Sequence, residues 1–249
     1  MADETLTLHL RSQALDRDEG GHAFWRVIET EKVVEASRTA ILVCDVWDRH
    51  WSRGATERVD AMAPRMNAVL SAARERGARI IHAPSDTMPF YEGTLARKRM
   101  IDAPHVDPPP PIDRPDPPLP VDASDHGSDT GETKPLGAWH RQHPAISIDQ
   151  DRDGITDSGQ EAYRYLRQQR IAFLLVMGVH TNMCVLGRSF GIKQMVRWGI
   201  DVALVRDLTD AMYSPGMPPY VSHDEGTRLV VGYVEKFWCP SIASADLAR

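Results

Sequence analysis

Ile171-Ala-Phe-Leu-Leu-Val-Met-Gly178, followed by Val179-His-Thr-Asn-Met-Cys184, decides how this chain folds. The first segment is a short apolar run closed by a glycine, the pattern of a strand buried on both faces in a parallel sheet. The second leads into a helix: Asn182 is placed to cap it, and Val185, Leu186, Ser189, Ile192, Met195 and Val196 keep a roughly 3.6-residue spacing up to the Gly199 stop. Cys184 thus falls in the first turn of a helix just past the carboxyl end of a buried strand. Free amides and the helix dipole there are expected to lower a thiol from about 8.5 toward neutrality and expose a thiolate nucleophile. The alternative is a packed core cysteine.

Working outward, Thr39-Ala-Ile-Leu-Val-Cys-Asp45 and Asp201-Val-Ala-Leu-Val-Arg-Asp207 are two more apolar runs, each ending on a carboxylate. Arg79-Ile-Ile-His-Ala83 and Ala145-Ile-Ser-Ile148 read as further strands, and Ser241-Ile-Ala-Ser244 as a last one. Helical spacing appears over 61–76, 158–169 and 223–237. The alternation predicts a doubly wound, three-layer α/β/α fold with a six-stranded, mainly parallel sheet in the order 3-2-1-4-5-6. That order makes the strand ending at Asp45 the neighbour of the strand leading to Cys184, with both residues at the ligand crevice. Two additions flank this frame. Residues 1–38 read as an N-terminal hairpin, with Leu6–Leu10 alternating and Phe24–Glu35 returning past a Gly20-Gly21 turn. Residues 103–144 are a long insertion in which 103–120 holds nine of the chain's 18 prolines, too many for a helix or central strand; a lid, an interface arm and plain disorder are the readings of it, with Trp139 and the Pro-rich run as what a lid or arm would dock with. The expectation is a single domain over 1–249.

With 42% hydrophobic residues, the 249-residue chain can bury a large core, and a net charge of -6 leaves no basic footprint for nucleic acid. No apolar run is long enough to span a membrane, and Met1-Ala-Asp-Glu-Thr5 does not read as a leader, so the expected location is cytoplasmic. Cys44, Cys184 and Cys239 form neither a disulfide framework nor a Cys-x-x-Cys metal pattern.

The strand ending in Asp45, the Gly178-Val-His-Thr-Asn-Met-Cys184 turn and the strand ending in Asp207 resemble the isochorismatase-like cysteine hydrolases, a superfamily with nicotinamidases and N-carbamoylsarcosine amidases. The resemblance covers about Thr39–Ala83 and Ala145–Ala211. It implies cleavage of a C–N bond in a small amide or carbamoyl compound through a thioacyl-enzyme, with Cys184 as nucleophile and Asp45 as acid/base. It also implies an oxyanion hole from the amides of His180 and Cys184, and a cis peptide at Val179–His180. The family's catalytic lysine at the end of the third strand has no counterpart after Ile148, where the chain reads Asp149-Gln-Asp-Arg152-Asp153. Arg152 is the candidate for that positive charge, and Lys134 of the insertion a second. The family's Asp-x-His metal motif is replaced by Asp86-Thr-Met88; Asp48 with His50, and Asp125, His126 and Asp129, read as solvated loop residues. No metal and no cofactor are expected.

Trp47, His50, Trp51 and Tyr91 follow the first two strands and are candidates to line a substrate pocket, together with Asn182 and Arg188. Arg188 lies one turn beyond Cys184, placed either for an anionic group or for a salt bridge to Asp45 or Asp207. Two rival readings remain: a binding or scaffolding protein that lost turnover with the lysine, and a vinyl-ether hydrolase that needs no Cys184. The expected partner is a small molecule, and the expected assembly a homo-oligomer.

Overall fold

The computed structural model describes residues 4–248; the start of the N-terminal reading, Met1–Asp3, lies outside it. The elements in chain order are β1 (Thr5–Arg17), β2 (Ala23–Glu35), β3 (Thr39–Cys44), α1 (Arg53–Glu75), β4 (Arg79–Ala83), α2 (Leu95–Ile101), β5 (Gly154–Ile155), α3 (Gly159–Gln168), β6 (Phe173–Val179), α4 (Ile192–Arg197), β7 (Val202–Asp210), α5 (His223–Phe237) and β8 (Ser241–Ile242). They form one sheet in the order β2-β1-β8-β7-β6-β3-β4-β5. Strands β3 to β8 pair in parallel, in the doubly wound order read from the sequence. The hairpin β1–β2 joins the same sheet, antiparallel to β8 through Arg11 and Ser241, and raises the count from six to eight.

Strand periodicity explains the layering. Along β3, Ala40, Leu42 and Cys44 enter one core cluster with residues of α3, α4 and α5, whereas Ile41 and Val43 enter the other with α1. Leu174 and Val176 of β6 side with the first cluster, and Phe173, Leu175 and Met177 with the second. Both faces of these strands are buried, which is why they read as unbroken apolar runs.

Four details differ from the sequence reading. The third parallel strand is Gly154–Ile155, not Ala145–Ile148. Residues 144–146 form a turn instead: the Ile146 amide donates to the His143 carbonyl, the Ser147 amide to Asn67, and the Ile146 side chain packs into the α1 face of the core. Helix α1 starts at Arg53, eight residues before the apolar spacing begins, because Ser52 caps it by accepting from the Ala55 amide. Strand β7 runs on to Asp210, past Asp207. The helix after Cys184 is broken: Thr181–Val185 make one wide turn, and α4 begins only at Ile192. Asn182 does not cap it; its side chain clamps the Met212 backbone in both directions, at 2.9 and 2.8 Å.

The insertion packs onto the body of the molecule. Asp116 meets Lys193 at 2.6 Å and the Tyr233 hydroxyl at 2.7 Å, and Val121 enters the core. Farther on, Asp129 pairs with Arg58, and Trp139 stacks against Trp47.

Candidate active site

Register places the candidate residues. Cys44 lies opposite Gly178 in the β3–β6 pair, so Asp45, the next residue, is beside the Val179–His180 turn. Gly178 has φ of 116°, and a Cβ there would run into the Cys44 carbonyl; only glycine lets the strands approach here. Asp45 itself has a positive φ of 48°, a conformation uncommon for a residue with a Cβ and one that turns its carboxylate back over the strand ends. The Val179–His180 peptide is cis. The turn after it is pinned from β7 by Thr209, whose hydroxyl donates to the Gly178 carbonyl at 2.8 Å and meets the Thr181 hydroxyl at 2.7 Å.

Asp45 is fully buried. One carboxylate oxygen accepts from the Ser85 amide at 2.7 Å, and the other from Arg188 Nε at 3.1 Å. The Cys184 thiol donates to the same carboxylate, and the His180 amide points at the Cys184 sulfur. Arg188 lies four residues after Cys184, its amide bonded to the Cys184 carbonyl at 3.0 Å, so the helical turn lays its guanidinium beside Asp45. The other end of that guanidinium meets Asp86 at 3.3 Å.

The electrostatics reverse one expectation. Burial, then the charge of Asp45 and the hydrogen bond to it, push the Cys184 thiol up to about 12, against the opposing pull of Arg188 and the His180 amide. The lowering expected from a helix N-terminus fails because the sulfur is desolvated and sits on a carboxylate, while the regular helix α4 starts only at Ile192, well beyond Cys184. Burial likewise raises Asp45 above the ordinary carboxylate value, offset in part by Arg188, Cys184 and Ser85. In the resting site the sulfur therefore holds its proton, with an acceptor already in contact.

Arg152 does not supply the cation. Its side chain is 53% exposed and pairs with Asp149 three residues away at 2.6 Å, because the third strand starts after this turn rather than before it. The residues that do follow that strand, Thr156-Asp157-Ser158, hold no lysine. Lys134 is exposed on the insertion. The cation in contact with Asp45 is Arg188.

Trp47 and His50 reach the site. The rings of Trp47, His50 and Trp139 lie nearly parallel, with centroids 4.2 to 6.1 Å apart, and His50 packs edge-on to His180 at 4.8 Å. Trp51 stands outside this stack, against His50 and His126. Tyr91 goes elsewhere: it clusters with Ala96 and Ile155, and its hydroxyl accepts from the Gln142 amide at 2.7 Å. Asp207 is also remote in role, held by Arg65 and by Ser244 near the C-terminal end. Trp139 docks the insertion, as its sequence suggested, but the sequence did not show that the ring it docks on is Trp47. Among the described residues, no three His, Cys, Asp or Glu side chains converge as metal ligands, and no helix is long and apolar enough to cross a membrane.

Comparison with known proteins accords with this geometry. The Isochorismatase domain family matches residues 39–216. A cysteine hydrolase from Pseudomonas syringae pv. phaseolicola superposes with a TM-score of 0.52 at 17% identity, over 87% of this chain and 93% of that one. A Burkholderia xenovorans protein described as an isochorismatase gives 0.52 at 15% identity, over 85% and 86%. No curated protein matches the sequence.

Proposed function

The chain belongs to the isochorismatase family, and from that premise we propose that it is a cysteine hydrolase cleaving a C–N bond in a small amide or carbamoyl compound. The observation that carries the reading is the three-way contact of Cys184 thiol, Asp45 carboxylate and Arg188 guanidinium at the adjoining ends of β3 and β6.

Asp45 takes the thiol proton as the sulfur adds to the substrate carbonyl, so attack and deprotonation are coupled rather than sequential. Arg188 stabilises the charge left in the site and takes the place of the family's lysine, donating hydrogen bonds but never a proton. The amides of His180 and Cys184 receive the oxyanion. Asp45 then protonates the departing amine, leaving a thioester on Cys184 that water hydrolyses. A small-molecule partner, a homo-oligomeric assembly and a cytoplasmic location complete the proposal; light scattering and cell fractionation test the last two.

The test is to incubate the protein with a panel of small amides and N-carbamoyl compounds and with p-nitrophenyl acetate, and to read Cys184 by intact and peptide mass spectrometry. An acyl adduct on Cys184 of wild type, absent from Cys184→Ala, is expected. One observation favours a second reading: burial raises the Asp45 carboxyl above the ordinary value, the direction that proton-driven vinyl-ether cleavage would use. Turnover of a vinyl ether that survives in Cys184→Ala would select that reading over the first.

A further inference from the structure

Beside Asp45 lies a small, partly open chamber lined by Asp45, Trp47, Arg49, His50, Thr56, Val59, Val179 and His180. Its volume is about 10 Å³, the size of one water molecule. Most of the lining is spoken for: the Thr56 hydroxyl is shared among the His50 amide and the His50 and Ser52 carbonyls, and the Asp45 oxygens are bonded as described. His180 is the exception. It is 2% exposed, yet its Nε2 finds no hydrogen-bond partner among the described residues. Leaving a buried imidazole nitrogen unpaired is unfavourable by about 1–3 kcal/mol, so the chamber needs a polar occupant.

The imidazoles in the walls bring no charge to that occupant. Burial, with His50 beside it, lowers His180 to about 3, and burial, with Arg58 nearby, lowers His50 to about 4. Both rings are therefore uncharged at neutral pH. The Ser52 amide donates to His50 Nδ1 at 3.2 Å, which leaves the proton of that neutral ring on Nε2. The chamber thus offers a carboxylate and two neutral imidazoles around a space for one water, adjoining the residue whose amide is placed to receive the oxyanion.

We infer that the chamber berths the water that hydrolyses the acyl-enzyme, with His180 and His50 as its positioning residues. This rests on the thioacyl reading above. The water oxygen adds to the thioester carbon while its proton passes to the Asp45 carboxylate. The tetrahedral intermediate then breaks its C–S bond, the Cys184 sulfur recovers the proton from Asp45, and the acyl group leaves as the acid.

The probe is p-nitrophenyl acetate, which separates the two half-reactions: acetylation of Cys184 releases a burst of p-nitrophenolate, and deacetylation sets the steady rate. His180→Phe is expected to keep the burst and lower the steady rate about tenfold, the loss of one hydrogen bond to the attacking water, with the acetyl adduct accumulating. His180→Gln, whose amide reaches toward the place of Nε2, restores the steady rate, and hydroxylamine, which needs no berthed water, restores turnover in His180→Phe. Should His180→Phe fail to fold, His50→Leu carries the same test. Burst and steady rate falling together, or neither changing, overturns the inference while the adduct on wild-type Cys184 keeps the thioacyl reading. No adduct on wild-type Cys184 overturns both.

Discussion

Asp45 and Asp153 are both buried from solvent and both touch an arginine, yet their carboxyls move in opposite directions. Burial opposes the charge of Asp153, but hydrogen bonds from His82 and Arg74 outweigh it and hold the group down to about 2. Arg74 grips it through two nitrogens at 2.9 and 2.7 Å, His82 Nε2 lies at 3.0 Å, and the Asp149 amide donates at 2.8 Å. Asp45 has one amide, one nitrogen of an arginine shared with exposed Asp86, and a thiol. The saturated carboxylate is fixed as an anion and ties α1, β4 and the start of β5 together. The under-supplied one is left able to accept a proton, which is what a general base needs.

The largest expected effect is at Asp45. Asp45→Asn should lower turnover roughly 10³-fold, the upper part of what a positioned base contributes. It should also speed alkylation of Cys184 by iodoacetamide at pH 8, because the charge that pushes the thiol up is removed. Its stability effect has the opposite sign to the usual one. The folded pKa of Asp45 lies above the ordinary 3.8, so its favourable contribution is complete below that pH and is lost as pH rises through the folded value. At neutral pH the amide should melt no lower than wild type. A clear drop in melting temperature would erase the contrast between the two aspartates.

Asp153→Asn comes next, and its effect is on the fold. Removing one partner of a buried ion pair leaves Arg74 uncompensated, a loss of about 3–5 kcal/mol, or on the order of 10 °C in melting temperature for a chain of this length. Turnover per folded molecule should be unchanged. In wild type, the Asp153 contribution is complete above pH 3.8 and lost as pH falls through about 2. That window is worth about 2–3 kcal/mol, so acid unfolding of the variant should show a shallower pH dependence there.

How much of this was legible beforehand follows from what each residue depends on. Strands β3, β6 and β7 announced themselves because burial on both faces makes them continuous apolar runs, and their order placed Asp45 beside the Cys184 turn. Gly154–Ile155 did not, because two residues carry no periodicity, while Ala145–Ile148 imitated a strand by burying one isoleucine. Asp153 stands in the sequence as one more carboxylate of an acidic turn; its partners Arg74 and His82 lie more than seventy residues away. Arg188 was legible as a neighbour of Cys184 on one helix face with Asp45 or Asp207 as its expected partner, and the β3–β6 register decides for Asp45. Trp139 was legible as a side chain with which the insertion could dock, but its partner Trp47 was not, since that is set by the path of the proline-rich insertion.

The cation sharpens the comparison further, with smaller effects. Arg188→Ala removes a charge-assisted hydrogen bond worth about 1.5–3 kcal/mol, so turnover should fall roughly 10- to 100-fold, and alkylation of Cys184 should slow because Arg188 holds the thiol down. Arg188→Lys should recover part of both, since an ammonium keeps the charge and loses the planar donor pair. Arg152→Ala is the control that separates position in sequence from position in space. Arg152 occupies the stretch where the sequence pointed to a lysine's replacement, yet its guanidinium is spent on an exposed pair with Asp149, worth no more than about 0.5 kcal/mol. Asp149 reaches Asp153 through its backbone amide rather than its side chain, so losing the pair leaves the saturated centre intact. Turnover, alkylation rate and melting temperature of Arg152→Ala should all match wild type. A slowed alkylation in this variant, with Arg188→Ala silent, would return the cation to the turn before β5 and reverse the assignment made from the geometry.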